Sequence, residues 1–161
     1  QLSKEDLLSG IVRILDKTGL PPNLLEIEVT ESALMEKAVK GIAALRALRE
    51  MGVHLTADDF GVGYSSLNYL KNLPLDSIKI DRSLISEMTN DPRRFLVVRA
   101  IIELAHAMGL ACTAEGIEDI EIVGQLRALG CDHAQGFAIA RPSALCVPRE
   151  PTLSVWMGSS R

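Results

Sequence analysis

Apolar residues recur along this chain at two spacings, and stretches of the two kinds alternate. Five short runs change between apolar and polar with a period of two: LEIEVTE (25–31), VHLTAD (53–58), SIKID (77–81), LACTAE (110–115) and HAQGFAI (133–139). That period predicts β-strands. Between them, ALMEKAVKGIAALRALREM (33–51) repeats apolar residues at three and four and stops at Gly52. PRRFLVVRAIIELAHAM (92–108) opens with Pro92 after Asn90 and Asp91 and stops at Gly109, and IEDIEIVGQLRAL (117–129) stops at Gly130. These patterns predict helices with a first-turn proline and terminal glycines. A shorter helix is expected over 66–73. One more is expected over 4–17, where Ser3 and Asp6 resemble a capping box and Pro21-Pro22 forms the stop. Strand–helix alternation at these lengths predicts a parallel sheet of βα units.

Strand parity narrows the architecture. Leu25, Ile27 and Val29 share one face, as do Val53, Leu55 and Ala57; Ile78 and Ile80; and Leu110, Cys112 and Ala114. The other face carries Glu26 and Glu28; His54, Thr56 and Asp58; Ser77, Lys79 and Asp81; Thr113 and Glu115; His133 and Gln135. A doubly wound sheet would be apolar on both faces because helices cover both. One greasy and one polar face predict an α/β barrel of the (βα)8 TIM type, with helices outside and a polar chamber inside. A whole barrel takes about 250 residues. With 161 residues and five strands, the chain is expected to form part of one, leaving an open edge at strand 25–31.

Chemistry in such barrels sits at the carboxyl ends of the strands. The inward polar residues nearest those ends are Glu28, Asp58, Lys79, Glu115 and Gln135. The segment Asp58–Leu67, DDFGVGYSSL, adds Asp59 and a glycine-rich loop at the end of the second strand. Adjacent carboxylates repel, and a divalent cation removes the conflict. Acids of this kind suit oxygen-preferring Mg²⁺ or Mn²⁺. The set reads as hydrolytic or proton-abstracting equipment. His54, His106 and His133 show no ligand spacing and are read as structural, and Arg93-Arg94 as a solvated helix face.

Composition changes this picture little. Hydrophobic residues make up 47% and charged residues 24%, ordinary for a globular domain. A net charge of −4 counts against a sequence-independent grip on a nucleic acid polymer, which needs a basic surface. Cys112, Cys131 and Cys146 are odd in number and lack metal-ligand spacing, which fits reduced thiols in the cytoplasm. No apolar stretch approaches the roughly 18 residues of a membrane span, so no membrane contact is expected from this segment.

The blocks LEIEVTES (25–32), ADDFGVGYSSLNYLKNLPLDSIKID (57–81), TAEGIE (113–118) and GCDHAQGFAIARP (130–142) resemble the EAL domain family of cyclic di-GMP phosphodiesterases. The resemblance implies an EAL domain portion over 1–142, strands four to eight of the barrel, followed by a poorly ordered tail over 143–161. It implies metal-assisted opening of cyclic di-GMP to linear pGpG with two Mg²⁺ or Mn²⁺ ions. Glu28, Asp58 and Asp59 would be metal ligands, Lys79 would contact the attacking water or a phosphate oxygen, and Glu115 would be the general base. Gln135 would orient water or substrate. Glu31 would anchor the 59–66 loop, which in the family couples homodimerisation to metal binding, and Glu118 would support the base.

Three departures stand beside the resemblance. The Glu-Ala-Leu strand and the following strand with its asparagine ligand do not occur in these 161 residues, so this piece alone is expected to be inactive. Val62 stands where the family usually has threonine, and the segment after Pro142 does not follow the usual closing helix. Two other functions compete with hydrolysis. One is a degenerate EAL-like receptor or protein-interaction module. The other is a metal-dependent barrel enzyme that removes a proton next to a carboxylate with Lys79 as base.

Overall fold

The computed structural model describes residues 4–36, 38–63 and 70–141. Helix α1 (Lys4–Thr18) leads through a 3-10 turn (Pro22–Leu24) to β1 (Glu26–Thr30). Helices α2 (Glu31–Glu36) and α3 (Ala38–Glu50) return the chain to β2 (His54–Phe60) and then β3 (Ser77–Ile80). Next come α4 (Arg82–Glu87), α5 (Pro92–Ala107), β4 (Ala111–Ala114), α6 (Ile120–Ala128) and β5 (His133–Ala134). All pairings are parallel and the sheet order is β1-β2-β3-β4-β5. Parallel crossovers are right-handed, so an order that never reverses places successive helices on the same face. That is barrel winding, as the parity predicts.

The greasy face is the core. Leu55, Ala57, Ile78, Ile80, Cys112 and Ala114 are buried against Leu48 of α3, Val98 and Ile102 of α5, and Leu126 of α6. At the opposite end from the strand carboxyl termini, two carboxylates tie neighbouring strands. Asp76 accepts from the Leu55 N–H and the Arg49 Nε, each at 3.0 Å. Asp132 accepts from the Cys112 N–H at 2.8 Å and lies 2.9 Å from His106 Nε2. His106 thus has a structural partner. Cys131 Sγ donates to the His133 carbonyl at 3.2 Å, and both Cys112 and Cys131 are buried packing thiols.

Several boundaries differ from the periodicity. The helix expected from residue 117 starts at Ile120, because Asp119 caps it by accepting from the Glu121 N–H while Ile117 is drawn into the core. The pattern over 33–51 is helical as α2 and α3, on either side of residue 37, which lies outside the described residues. Helix α4 was not foreseen, since Asp81, read as the last residue of a strand, is its N-cap and accepts from the Ser83 N–H at 2.8 Å. Of the helix expected over 66–73, residues 66–69 lie outside the described residues, and so does the tail over 143–161.

The strand expected over 133–139 keeps only His133 and Ala134. Past Gln135 the chain curls, with the Ile139 and Ala140 N–H groups both donating to the Gly136 carbonyl at 3.0 Å. Gly136 makes this possible: a Cβ there would stand 2.2 Å from the Ile117 nitrogen and 2.3 Å from its oxygen. Gly136→Ala should therefore cost about 1–3 kcal/mol, as forced overpacking does. Equilibrium denaturation should show a lowered midpoint, and an unchanged midpoint would show that these two loops do not abut.

Candidate active site

The polar face of the sheet carries two tiers of cross-strand contacts. In the lower tier the Thr56 hydroxyl on β2 donates to Glu26 on β1 and lies 2.6 Å from the Ser77 hydroxyl on β3. In the upper tier, at the strand ends, Lys79 Nζ lies 2.7 Å from Glu28 Oε1 and 2.6 Å from Glu115 Oε1. Gln135 Nε2 donates to the same Glu115 oxygen. Four of the side chains picked out by parity, from β1, β3 and the ends of β4 and β5, thus form one continuous contact. Burial of Lys79 would lower its pKa, but hydrogen bonds to Glu115 and Glu28 outweigh that and raise it. The ammonium is charged throughout the neutral range.

Asp58 and Asp59 reach this rim by a backbone irregularity. Thr56 pairs with Ser77 and Ala57 with Ile78, yet Phe60 pairs with Ile80. Two residues, Asp58 and Asp59, therefore share the place opposite Lys79, which is a β-bulge. Asp59 sits in the left-handed region at φ 54°, which aspartate tolerates better than most residues. Its carboxyl is raised above the ordinary range by desolvation, then by the charges of Asp58 and Asp81, with Lys79 acting in the opposite sense. Asp58 Oδ1 is buried without a hydrogen-bond partner.

A buried lone pair without a donor is costly, and a cation would satisfy it. An orphaned carboxylate oxygen at the bulge, a strained acid beside it and a third on β1 form an all-oxygen donor set, so the residues present fit Mg²⁺ or Mn²⁺. Among the described residues no three acids, histidines or cysteines yet close around a single point. In this arrangement the Lys79 ammonium takes up oxygens of Glu28 and Glu115 instead.

The loop after β2 is clamped by Glu31. This buried carboxylate accepts from the Gly61 N–H at 3.0 Å, and a Cβ at Gly63 would stand 2.6 Å from its Oε1. Gly61, at φ 99°, also admits Leu84 and Ile101, whose methyls lie 2.5 and 2.9 Å from where its Cβ would be. Residues 64–66 of the loop lie outside the described residues. Glu118 pairs with Arg82 Nη2 at 2.7 Å rather than with Glu115. Arg82 was not singled out by sequence reasoning, although its place directly after Asp81 at the end of β3 was a usable signal.

The profile of the EAL domain family matches residues 1–142. The cyclic di-GMP phosphodiesterase RocR of Pseudomonas aeruginosa is 37% identical over 159 residues, covering 99% of this chain and 40% of RocR. The solved phosphodiesterase PaMucR in complex with c-di-GMP superposes with a TM-score of 0.82 at 41% identity, over 84% of this chain and 55% of that one. Klebsiella pneumoniae BlrP1, solved with manganese and cyclic di-GMP, gives 0.79 at 32% identity, over 85% of this chain and 35% of that one. The chain spans 18% of the length of the first curated relatives it matches.

Proposed function

The chain belongs to the EAL domain family, and from that premise we propose that it forms the catalytic rim of a cyclic di-GMP phosphodiesterase producing linear pGpG. The observation that carries this reading is Lys79 held between Glu28 and Glu115 beside the Asp58–Asp59 bulge. Glu28, Asp58 and Asp59 are the residues to hold two Mg²⁺ or Mn²⁺ ions. Those ions, when bound, supply electrostatic stabilisation of the phosphate and acidify the attacking water.

The protein's own groups do the rest. Glu115 takes the proton from the attacking water, its carboxylate held in place by the Lys79 ammonium. Gln135 orients that carboxylate by donating to it. Glu31 holds the loop of the metal-ligand bulge, and a homodimer contact through residues 59–66 belongs to the same reading. Glu118 acts one step further out, through Arg82. The five strands correspond to the last five of an eight-stranded barrel working in the cytoplasm. No helix among the described residues is long and apolar enough to cross a membrane.

The test is release of pGpG from cyclic di-GMP by the full-length protein with Mn²⁺, abolished by EDTA. Failure to release pGpG under those conditions would remove the proposal. The 161 residues by themselves are expected to show no turnover. A degenerate receptor is the second reading, favoured by Val62, whose exposed side chain offers no hydroxyl to the loop.

Metal binding has its own readout. Mn²⁺ should raise the melting temperature of the protein by relieving the charge conflict at Asp58 and Asp59, and Asp58→Asn should erase that rise. In the metal-free protein Asp59→Asn should raise the melting temperature, since it removes one of the repelling charges. A Mn²⁺ shift that survives in the Asp58→Asn variant would place the ions elsewhere.

A further inference from the structure

Beneath Glu28, Asp58 and Lys79 lies a second set of polar side chains, each two residues earlier on its own strand: Glu26, Thr56 and Ser77. A step of two keeps a side chain on the same face. The hydrolytic reading leaves this lower tier without a role. At its centre Thr56 is buried, and its hydroxyl touches both neighbours. A hydroxyl has one proton to give. Thr56 gives that proton to the Glu26 carboxylate, so the contact at 2.6 Å requires the Ser77 hydroxyl to donate to Thr56. The result is a directed chain from Ser77 through Thr56 to Glu26, across β3, β2 and β1.

Those are the strands that the upper tier spans. The 2.7 Å contact of Lys79 with Glu28 runs from β3 to β1, over β2. Neighbouring strands stand about 4.8 Å apart, so a contact that skips one holds only when both spacings are fixed. The lower chain fixes them with one hydrogen bond to each neighbour. It also stands at the foot of the bulge. Thr56 pairs with Ser77 and Ala57 with Ile78, and the register breaks at the next residue, Asp58. A slip of one residue would turn Asp58 to the opposite face. It would also carry the Thr56 hydroxyl into the apolar core, away from both partners. Apolar packing is non-directional, whereas a hydrogen bond constrains distance and angle. The threonine hydroxyl therefore sets a register that a valine of similar shape would not.

We infer that Thr56 is a positioning residue of the metal site: through Glu26 and Ser77 it holds β1, β2 and β3 where Glu28, Asp58 and Lys79 converge. The inference rests on the metal-dependent reading above.

The test uses the full-length protein and two measurements at a temperature where each variant is folded. One is Mn²⁺ binding without substrate; the other is pGpG release as a function of cyclic di-GMP concentration. Thr56→Val should weaken Mn²⁺ binding about tenfold, the lower end of what outer partners of metal ligands contribute. Its kcat should fall while KM stays near the wild-type value, and Thr56→Ser, which keeps the hydroxyl, should restore both quantities. Ser77→Ala removes one link and should weaken Mn²⁺ binding by a smaller factor; it decides the matter if Thr56→Val does not fold, and unchanged affinity there overturns the inference. A Thr56→Val protein with a lowered melting temperature but wild-type Mn²⁺ affinity and kcat has lost packing alone, which also overturns it. If the variants weaken Mn²⁺ binding but the wild type releases no pGpG, the positioning role stands and the hydrolytic reading falls. If the wild type releases pGpG and Thr56→Val matches it in both measurements, the reverse is true. No Mn²⁺ binding by the wild type overturns both.

Discussion

Replacing Lys79 by methionine is expected to lower turnover of cyclic di-GMP by at least ~100-fold, the scale on which removal of one preorganised charged or hydrogen-bonding group acts. The ammonium lies 2.7 Å from Glu28 and 2.6 Å from Glu115. Without it, two acids at the rim lose their shared counter-charge. Methionine keeps the length and apolar stem of the side chain, which separates loss of charge from loss of packing.

The same substitution has a stability signature with a defined sign. Lys79 has a raised pKa in the folded protein because its hydrogen bonds to Glu115 and Glu28 exceed the cost of its burial. Its contribution is fully present below the unfolded lysine value of about 10.4 and is lost as pH rises through the folded value. Wild type and Lys79→Met should therefore differ in stability by a constant amount near neutrality, and the gap should close only in strongly alkaline solution. Near-normal turnover in Lys79→Met would take the lysine out of the mechanism.

Glu115→Gln should reduce kcat by about 10²–10⁴-fold, as expected for a positioned general base. The amide still offers an oxygen to Lys79 and to the Gln135 Nε2, so the contact that joins β3, β4 and β5 can persist. The loss should accordingly appear in kcat, with KM and the melting temperature little changed. Release of pGpG at the wild-type rate would show that the proton goes elsewhere. Comparison with Lys79→Met is informative: if the two residues act as one unit, the double variant should be no slower than the worse single one.

Much of the site was legible because its order is local. The period of two along LEIEVTE and SIKID sorts Glu28 and Lys79 onto one face, and the structure joins them. Other features depended on segments far apart. The alternation in HAQGFAI looks like a long strand, yet only His133 and Ala134 pair, because Gly136 packs on Ile117 and the chain curls. Arg82 carries no mark in the strand parity, and only the approach of Gly116 and Glu118 gives it a place.

By itself, then, the amino-acid sequence determined the strand and helix types, the polar face and the acids, lysine and glutamine on it, since pleat and helix periods are properties of neighbouring residues. Only the tertiary structure decided that Asp58 and Asp59 both stand opposite Lys79, that Gln135 meets Glu115, and that Phe137 and Arg82 wall one cavity. Bulge register and loop-on-loop packing are settled by contacts between distant segments, where space left by a missing Cβ or an unpaired carboxylate oxygen outweighs any local preference.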